Sequence, residues 1–234
     1  MSEADRVKER YERRASNQLN RLYLETNPSN LRAVQERERT LVALVNRHLA
    51  IPVEQARVLE VGCGSGSNLA TLVRFGFDPA HLTANELLGE RVEQARRRLP
   101  ASVNIMPGDA TTLDLPEAGF DIVYQSTVFT SLLDDTTQRQ LADRMWRWTK
   151  PGGGVLWYDF TYNNPRNPDV RGVPLARIRE LFPQAVIDAR RITLAPPIAR
   201  RIPANLYGVF NSLPLLRTHL MCWLAKPAPS NLQA

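Results

Sequence analysis

The chain has 234 residues, enough for one sizeable core with small decorations and too few for two comfortable domains. No apolar run approaches the roughly 20 residues that span a bilayer, and the charged N-terminus (Glu3, Asp5, Arg6, Lys8, Glu9, Arg10) is unlike a secretion signal. The expectation is a cytoplasmic protein. The net charge of +6 is almost all arginine, since Lys8, Lys150 and Lys226 are the only lysines. N-terminal arginines interleave with glutamates as on a solvated helix face, so nucleic acid is a secondary expectation. Cys63 and Cys222, with three scattered histidines, make neither a disulfide framework nor a metal site.

Residues 3–25 read as a polar helix with Tyr11, Leu19, Leu22 and Tyr23 as its apolar contacts. Asn27-Pro28-Ser29-Asn30 breaks it, with Asn30 as N-cap of a second helix that Ile51-Pro52 ends. Strand and helix then alternate: strand 57–61, helix 67–75, strand 82–86, helix 89–99, strand 102–106, strand 120–124 and helix 135–149. Pro151 to Gly154 reads as a tight turn into a strand 155–160, followed by a helix 174–182 and strands 189–195 and 217–225. Such alternation predicts a parallel sheet covered by helices on both faces. The organisation expected is a helical extension or lid over 1–52, one α/β domain over 53–226 and a loose tail over 227–234. Residues 190–216 mix Arg190, Arg191, Arg200 and Arg201 with apolar residues. They read as a packed helix, a lid over the acceptor pocket, or a shallow membrane-surface contact, with plain packing preferred.

The most informative stretch is Val58-Leu59-Glu60-Val61-Gly62-Cys63-Gly64-Ser65-Gly66-Ser67-Asn68-Leu69. A buried strand, a glycine turn and a helix start let the backbone approach a small charged ligand. The spacing is G-x-G-x-G, and Ser67 stands where a dinucleotide site places its third glycine. Glu60 would repel a pyrophosphate and suits an ammonium group. With Glu86 ending strand two, Gly108-Asp109-Ala110 after strand three, Phe120 to Val123, and Lys150-Pro151-Gly152-Gly153, the chain over 55–226 resembles the class I (Rossmann-like) S-adenosylmethionine-dependent methyltransferases. The resemblance implies a seven-stranded sheet, mostly parallel with its last strand antiparallel. The N-terminal helices and the segment 157–168 resemble a bacterial subgroup that methylates glycans and related secondary products.

For the cofactor, S-adenosylmethionine, this reading selects Glu60, Gly62, Cys63, Gly64, Gly66, Asn68, Glu86, Leu87, Asp109, Ala110 and Gln125. The glycines pass beneath its amino-acid part, Glu86 accepts the ribose hydroxyls, and Asp109 accepts the adenine amino group while the Ala110 N–H faces a ring nitrogen. Phe129 is a minor cation–π partner for the sulfonium. Asp159, Tyr162 and Asn163 after strand five are the catalytic candidates, Asp159 as a base or as an acceptor for loop N–H groups. His219 reads as a core or edge histidine. No Asn/Asp-Pro-Pro-Tyr loop follows strand four, where Tyr124-Gln125-Ser126-Thr127 stands, and neither cysteine suits cytosine-ring chemistry. The expected acceptor is therefore a small-molecule or glycan oxygen, with RNA methylation as the alternative and no metal.

Overall fold

A computed structural model describes residues 2–15, 27–165 and 167–228. Helix α1 spans Glu3–Ala15 and α2 spans Pro28–His48. The predicted continuation of the first helix to residue 25 lies outside the described residues. The cap of α2 is Asn27, not Asn30: Asn27 Oδ1 accepts the Ser29 N–H at 3.0 Å. Pro28 then takes the first helical position, where its missing N–H costs nothing.

Seven strands form one sheet: β1 Val58–Val61, β2 Leu82–Glu86, β3 Asn104–Pro107, β4 Phe120–Ser126, β5 Thr149–Phe160, β6 Val186–Leu194 and β7 Arg217–Ala225. Their order is β3-β2-β1-β4-β5-β7-β6. All pairings from β3 to β5 are parallel, and β7 runs antiparallel to both β5 and β6. This is the Rossmann-like methyltransferase sheet expected, with its last strand reversed. Helices α3 Ser67–Arg74, α4 Gly89–Arg98, α5 Asp135–Trp148 and α6 Leu175–Leu181 follow the alternation.

Side-chain parity divides the core into two layers. Val58, Tyr124, Leu156 and Trp223 pack with Leu41, Leu44 and Leu69 on one face. Leu59, Val123, Trp157 and Cys222 pack with Leu141, Met145 and Ile178 on the other. Because both faces are covered, β1 is buried at every position and reads as an unbroken apolar run apart from Glu60.

Two expectations are corrected here. The turn 151–154 is part of β5, which begins at Thr149 and carries a register shift opposite Phe120 and Ile122. Gly154 is required there by space, since a Cβ would lie 2.4 Å from the Trp223 ring. The strand expected at 102–106 is β3, Asn104–Pro107.

The stretch between β6 and β7 carries two short helices, α7 Pro196–Ala199 and α8 Tyr207–Asn211. Ala199 and Tyr207 are buried with Leu194, and Ile198, Ile202, Phe210 and Leu216 pack against them. Glu36 of α2 ties this insertion down, accepting the Thr193 N–H at 3.0 Å and Asn211 Nδ2 at 2.7 Å. Packing is thus the main content of 190–216, as preferred. Leu206, Val209, Leu213 and Leu215 nevertheless remain exposed. No described helix is long and apolar enough to cross a membrane.

Candidate active site

In open parallel sheets, ligands sit beyond the carboxyl ends of the strands where strand order reverses. Here that point lies between β1 and β4, whose neighbours run in opposite sequence directions. A cleft of about 570 Å³ opens there, a volume suited to a nucleoside-sized ligand. The ends of β1, β2, β3 and β4 each contribute to its wall, and α1 contributes Ala4, Val7 and Tyr11.

The β1 end supplies Gly62, Cys63 and Gly64, with Asn68 from α3. Gly62 has φ +65°, and a Cβ on it would stand 2.6 Å from Val128 Cγ2. Only glycine therefore lets the turn pass under the β4 loop. Gly66 lies behind the turn and precedes α3. The Cys63 N–H donates to Asn85 O at 2.8 Å. Burial keeps its thiol protonated, which removes it as a nucleophile.

Glu86 and Leu87 line the cleft at the end of β2. Glu86 Oε2 accepts the Gly64 N–H at 2.8 Å and Oε1 accepts the Leu88 N–H at 2.9 Å. One carboxylate thus clamps the glycine turn to the start of α4, and each oxygen has a second lone pair. Asp109 and Ala110 line the cleft after β3. Asp109 Oδ1 accepts both the N–H and the hydroxyl of Thr111 at 2.8 Å.

Three expected cofactor residues do not line the cleft: Gly66, Glu60 and Gln125. Glu60 is fully buried, with Oε1 accepting Asn68 Nδ2 at 2.7 Å. Burial raises its pKa to about 8, against the opposing effects of the Asn68 hydrogen bond and the Arg37 charge. Gln125 is also fully buried, and its Oε1 accepts the Val128 N–H at 3.1 Å. It braces the segment Ser126-Thr127-Val128, which does line the cleft. Thr127 holds φ +59°, a conformation rare outside glycine and common where a site stores strain.

The three catalytic candidates do not line the cleft. Odd-numbered residues of β5 face the α5–α6 layer, so Asp159 points under the β4 loop instead of into the opening. It is fully buried, accepts the Thr130 N–H at 3.3 Å, and burial lifts its pKa to about 7. Tyr162 is exposed and its hydroxyl accepts Arg191 Nη1 at 2.9 Å. Asn163 Oδ1 accepts the Gly172 N–H at 2.9 Å. Phe129 is core, 4.5 Å from the Trp157 ring.

Composition and periodicity missed several wall residues. Tyr11 lies face-on to Arg91 at 4.4 Å, and its hydroxyl lies 3.2 Å from Ser131 Oγ. Glu3 docks the same helix: it accepts the Leu133 N–H at 3.0 Å, Arg6 Nε at 2.8 Å and Arg10 Nη2 at 2.5 Å. Burial pushes the Glu3 pKa up, but hydrogen bonds from Arg10, Leu133 and Arg6 outweigh it and hold the carboxyl below its usual range. Among the described residues, no cluster of His, Cys, Asp and Glu is placed to hold a metal.

Residues 58–153 match the family described as "Methyltransferase domain". A malonyl-[acyl-carrier protein] O-methyltransferase of Bacteroides fragilis is 36% identical over 104 residues, covering 44% of this chain and 20% of that protein. A tRNA N(3)-cytidine methyltransferase of Gallus gallus is 30% identical over 112 residues, covering 44% and 30%. The chain thus spans less than a third of the length of either relative. Among solved structures, the N-methyltransferase NodS of Bradyrhizobium japonicum superposes with a TM-score of 0.62 at 18% identity, over 87% of this chain and 99% of that one. That likeness is one of fold.

Proposed function

We propose that this chain, whose residues 58–153 match the methyltransferase-domain family, transfers a methyl group from S-adenosylmethionine to an oxygen of a small-molecule or glycan acceptor. The observation that carries the reading is the convergence of Gly62, Glu86 and Asp109 from three strand ends on one cleft. When bound, S-adenosylmethionine supplies a methyl group activated by its sulfonium. In this reading Glu86 receives the ribose hydroxyls, Asp109 receives the adenine amino group, and the glycine turn passes beneath the amino-acid part. Tyr11, Val7 and Ala4 line the same cleft, and in this reading they limit water there.

The chain's main task in such a displacement is alignment of acceptor and methyl. Asp159 acts at one remove, holding the Thr130 N–H and through it the β4 loop. Tyr162 and Asn163 hold the loop after β5. Asp159→Asn is expected to lower turnover while leaving cofactor affinity intact; unchanged turnover would remove this role.

An oxygen acceptor is favoured by the malonyl-[acyl-carrier protein] O-methyltransferase relative. RNA is the less favoured acceptor, because many arginines are committed to ion pairs within the chain, such as Arg74 with Glu38 and Arg147 with Asp143. The exposed Leu206, Val209, Leu213 and Leu215, beside exposed Arg200 and Arg201, support a membrane-surface contact. Sedimentation with anionic vesicles tests it, and no binding would end it. The test of the main reading is S-adenosylhomocysteine formation against a panel of sugars, phenols and small acids, with bulk RNA as a further arm. Product formed with RNA alone would overturn the small-molecule assignment.

A further inference from the structure

Arg37 of α2 forms no ion pair among the described residues; burial opposes its charge, but neighbouring Tyr124, Tyr158, Glu60 and Glu38 outweigh it and raise its pKa above the usual value. Among the described residues it has no hydrogen bond and no carboxylate within ion-pair distance. Its guanidinium lies 5.3 Å from the centre of the Tyr158 ring, a contact that leaves its five N–H donors unused. Beside it is a small cavity of about 10 Å³, room for one water, lined by Arg37, Glu38, Leu41, Asn68, Thr71 and Tyr124. Of the buried side-chain atoms without a partner among the described residues, Glu60 Oε2 and the Tyr124 hydroxyl belong to residues that act electrostatically on Arg37. Glu60 shares its field with Arg37, yet burial keeps that carboxyl largely protonated near neutral pH, so it is a weak counter-charge. A guanidinium whose five N–H donors are unused within the protein can take an oxyanion from a ligand.

Arg37 does not itself line the main cleft, but a neighbouring residue does. Asn68 is a wall of both the small cavity and the main cleft. Ser126 lines the cleft two residues beyond Tyr124 on β4. Arg37 itself is half-buried and so remains reachable. His219 stacks on the opposite partner of this group, 5.1 Å from the Tyr158 ring, and burial together with the Arg37 charge lowers its pKa to about 4. It is therefore neutral and adds no competing positive charge.

We propose that Arg37 anchors an acidic group, carboxylate or phosphate, on the methyl acceptor, so that the enzyme's substrates are anions. This deepens the proposed function and rests on the acceptor lying beside the same cleft. Guanidinium geometry suits both oxyanions, since two parallel N–H groups meet two oxygens.

The test uses the full chain saturated with S-adenosylhomocysteine and titrated with benzoate, phenyl phosphate and benzamide. At least one anion is expected to bind, with benzamide weaker by about tenfold or more, the difference a charge-assisted hydrogen bond makes. Benzoate against phenyl phosphate separates the two sources of anion. Arg37→Gln is expected to lose about tenfold or more in anion affinity with S-adenosylhomocysteine affinity unchanged, and Arg37→Lys to keep part of it. Equal binding of benzamide, binding of none of the three, or full anion affinity in Arg37→Gln would overturn the proposal. If Arg37→Gln does not fold, the benzoate–benzamide comparison on the unaltered chain and Arg37→Lys decide it. Failure of S-adenosylhomocysteine itself to bind would overturn the cofactor reading instead, and benzoate titrated into the free chain would still judge Arg37.

Discussion

Glu86 offers the sharpest perturbation, because one carboxylate holds two structural N–H groups and faces the cleft. Glu86→Ala removes the acceptor from Gly64 N at 2.8 Å and from Leu88 N at 2.9 Å, at a residue 5% exposed. Hydrogen bonds to a charged group are worth about 1.5–3 kcal/mol each, so the free protein should lose roughly 3–6 kcal/mol. For a chain of this size that lowers Tm by roughly 6–24 °C. Cofactor affinity should fall by a further 1–3 kcal/mol, roughly, from the lost ribose acceptor. Glu86→Gln keeps one oxygen and turns an NH₂ group towards the other donor, so it should lose about half as much stability. Differential scanning calorimetry reads the first effect and titration with S-adenosylhomocysteine the second. A Glu86→Ala protein with unchanged Tm would refute the clamp, and one with unchanged affinity would refute the ribose assignment.

Gly62→Ala should be far more damaging than Gly108→Ala. Both have positive φ, but a Cβ at 62 meets Val128 at 2.6 Å whereas at 108 nothing lies within 4 Å; equal Tm losses would contradict the packing of the turn. Glu60 should make stability fall with rising pH. Its folded pKa is raised to about 8 from 4.5, so the unfolded chain releases its proton first and stability is lost as pH rises between those values. Glu60→Gln should flatten urea midpoints across that window, and an unaltered slope would contradict the assignment. Glu3→Ala should undock α1, giving faster proteolysis near the N-terminus and weaker S-adenosylhomocysteine binding. At Glu3 the sign is opposite: its folded pKa is depressed, so docking is present above the ordinary carboxylate range and is lost as pH falls below it.

The fold was legible because its signals are local. The apolar run Val58 to Val61, the glycines that follow and the strand ends at Glu86 and Asp109 all announce themselves within a few residues. Of the expected site residues, Gly62, Cys63, Gly64, Asn68, Glu86, Leu87, Asp109 and Ala110 line the cleft. Asp159 shows where this stops. Reading it as a base required knowing which face of β5 it occupies, and the parity that buries Val155 and Trp157 buries Asp159 with them. Tyr11 and Arg91 meet only because α1 folds back over the sheet, bringing Tyr11 to Ser131 across 120 positions. No spacing rule reports such a contact. Asn30 was a sound cap by residue type, but Pro28 needs the first helical position and so hands the cap to Asn27. Nothing in the sequence distinguishes Arg37 from the other arginines of α2; only the fold does, setting it over the Tyr158 ring with no ion pair among the described residues.

The central claim is that this cleft holds S-adenosylmethionine. The direct measurement is calorimetric titration of the purified chain with S-adenosylhomocysteine, beside NADH and beside the Asp109→Ala chain. One site per chain is expected for S-adenosylhomocysteine, weakened by roughly 1–3 kcal/mol in Asp109→Ala, with no binding of NADH. Heat from NADH but none from S-adenosylhomocysteine, or the same affinity in Asp109→Ala, would contradict it.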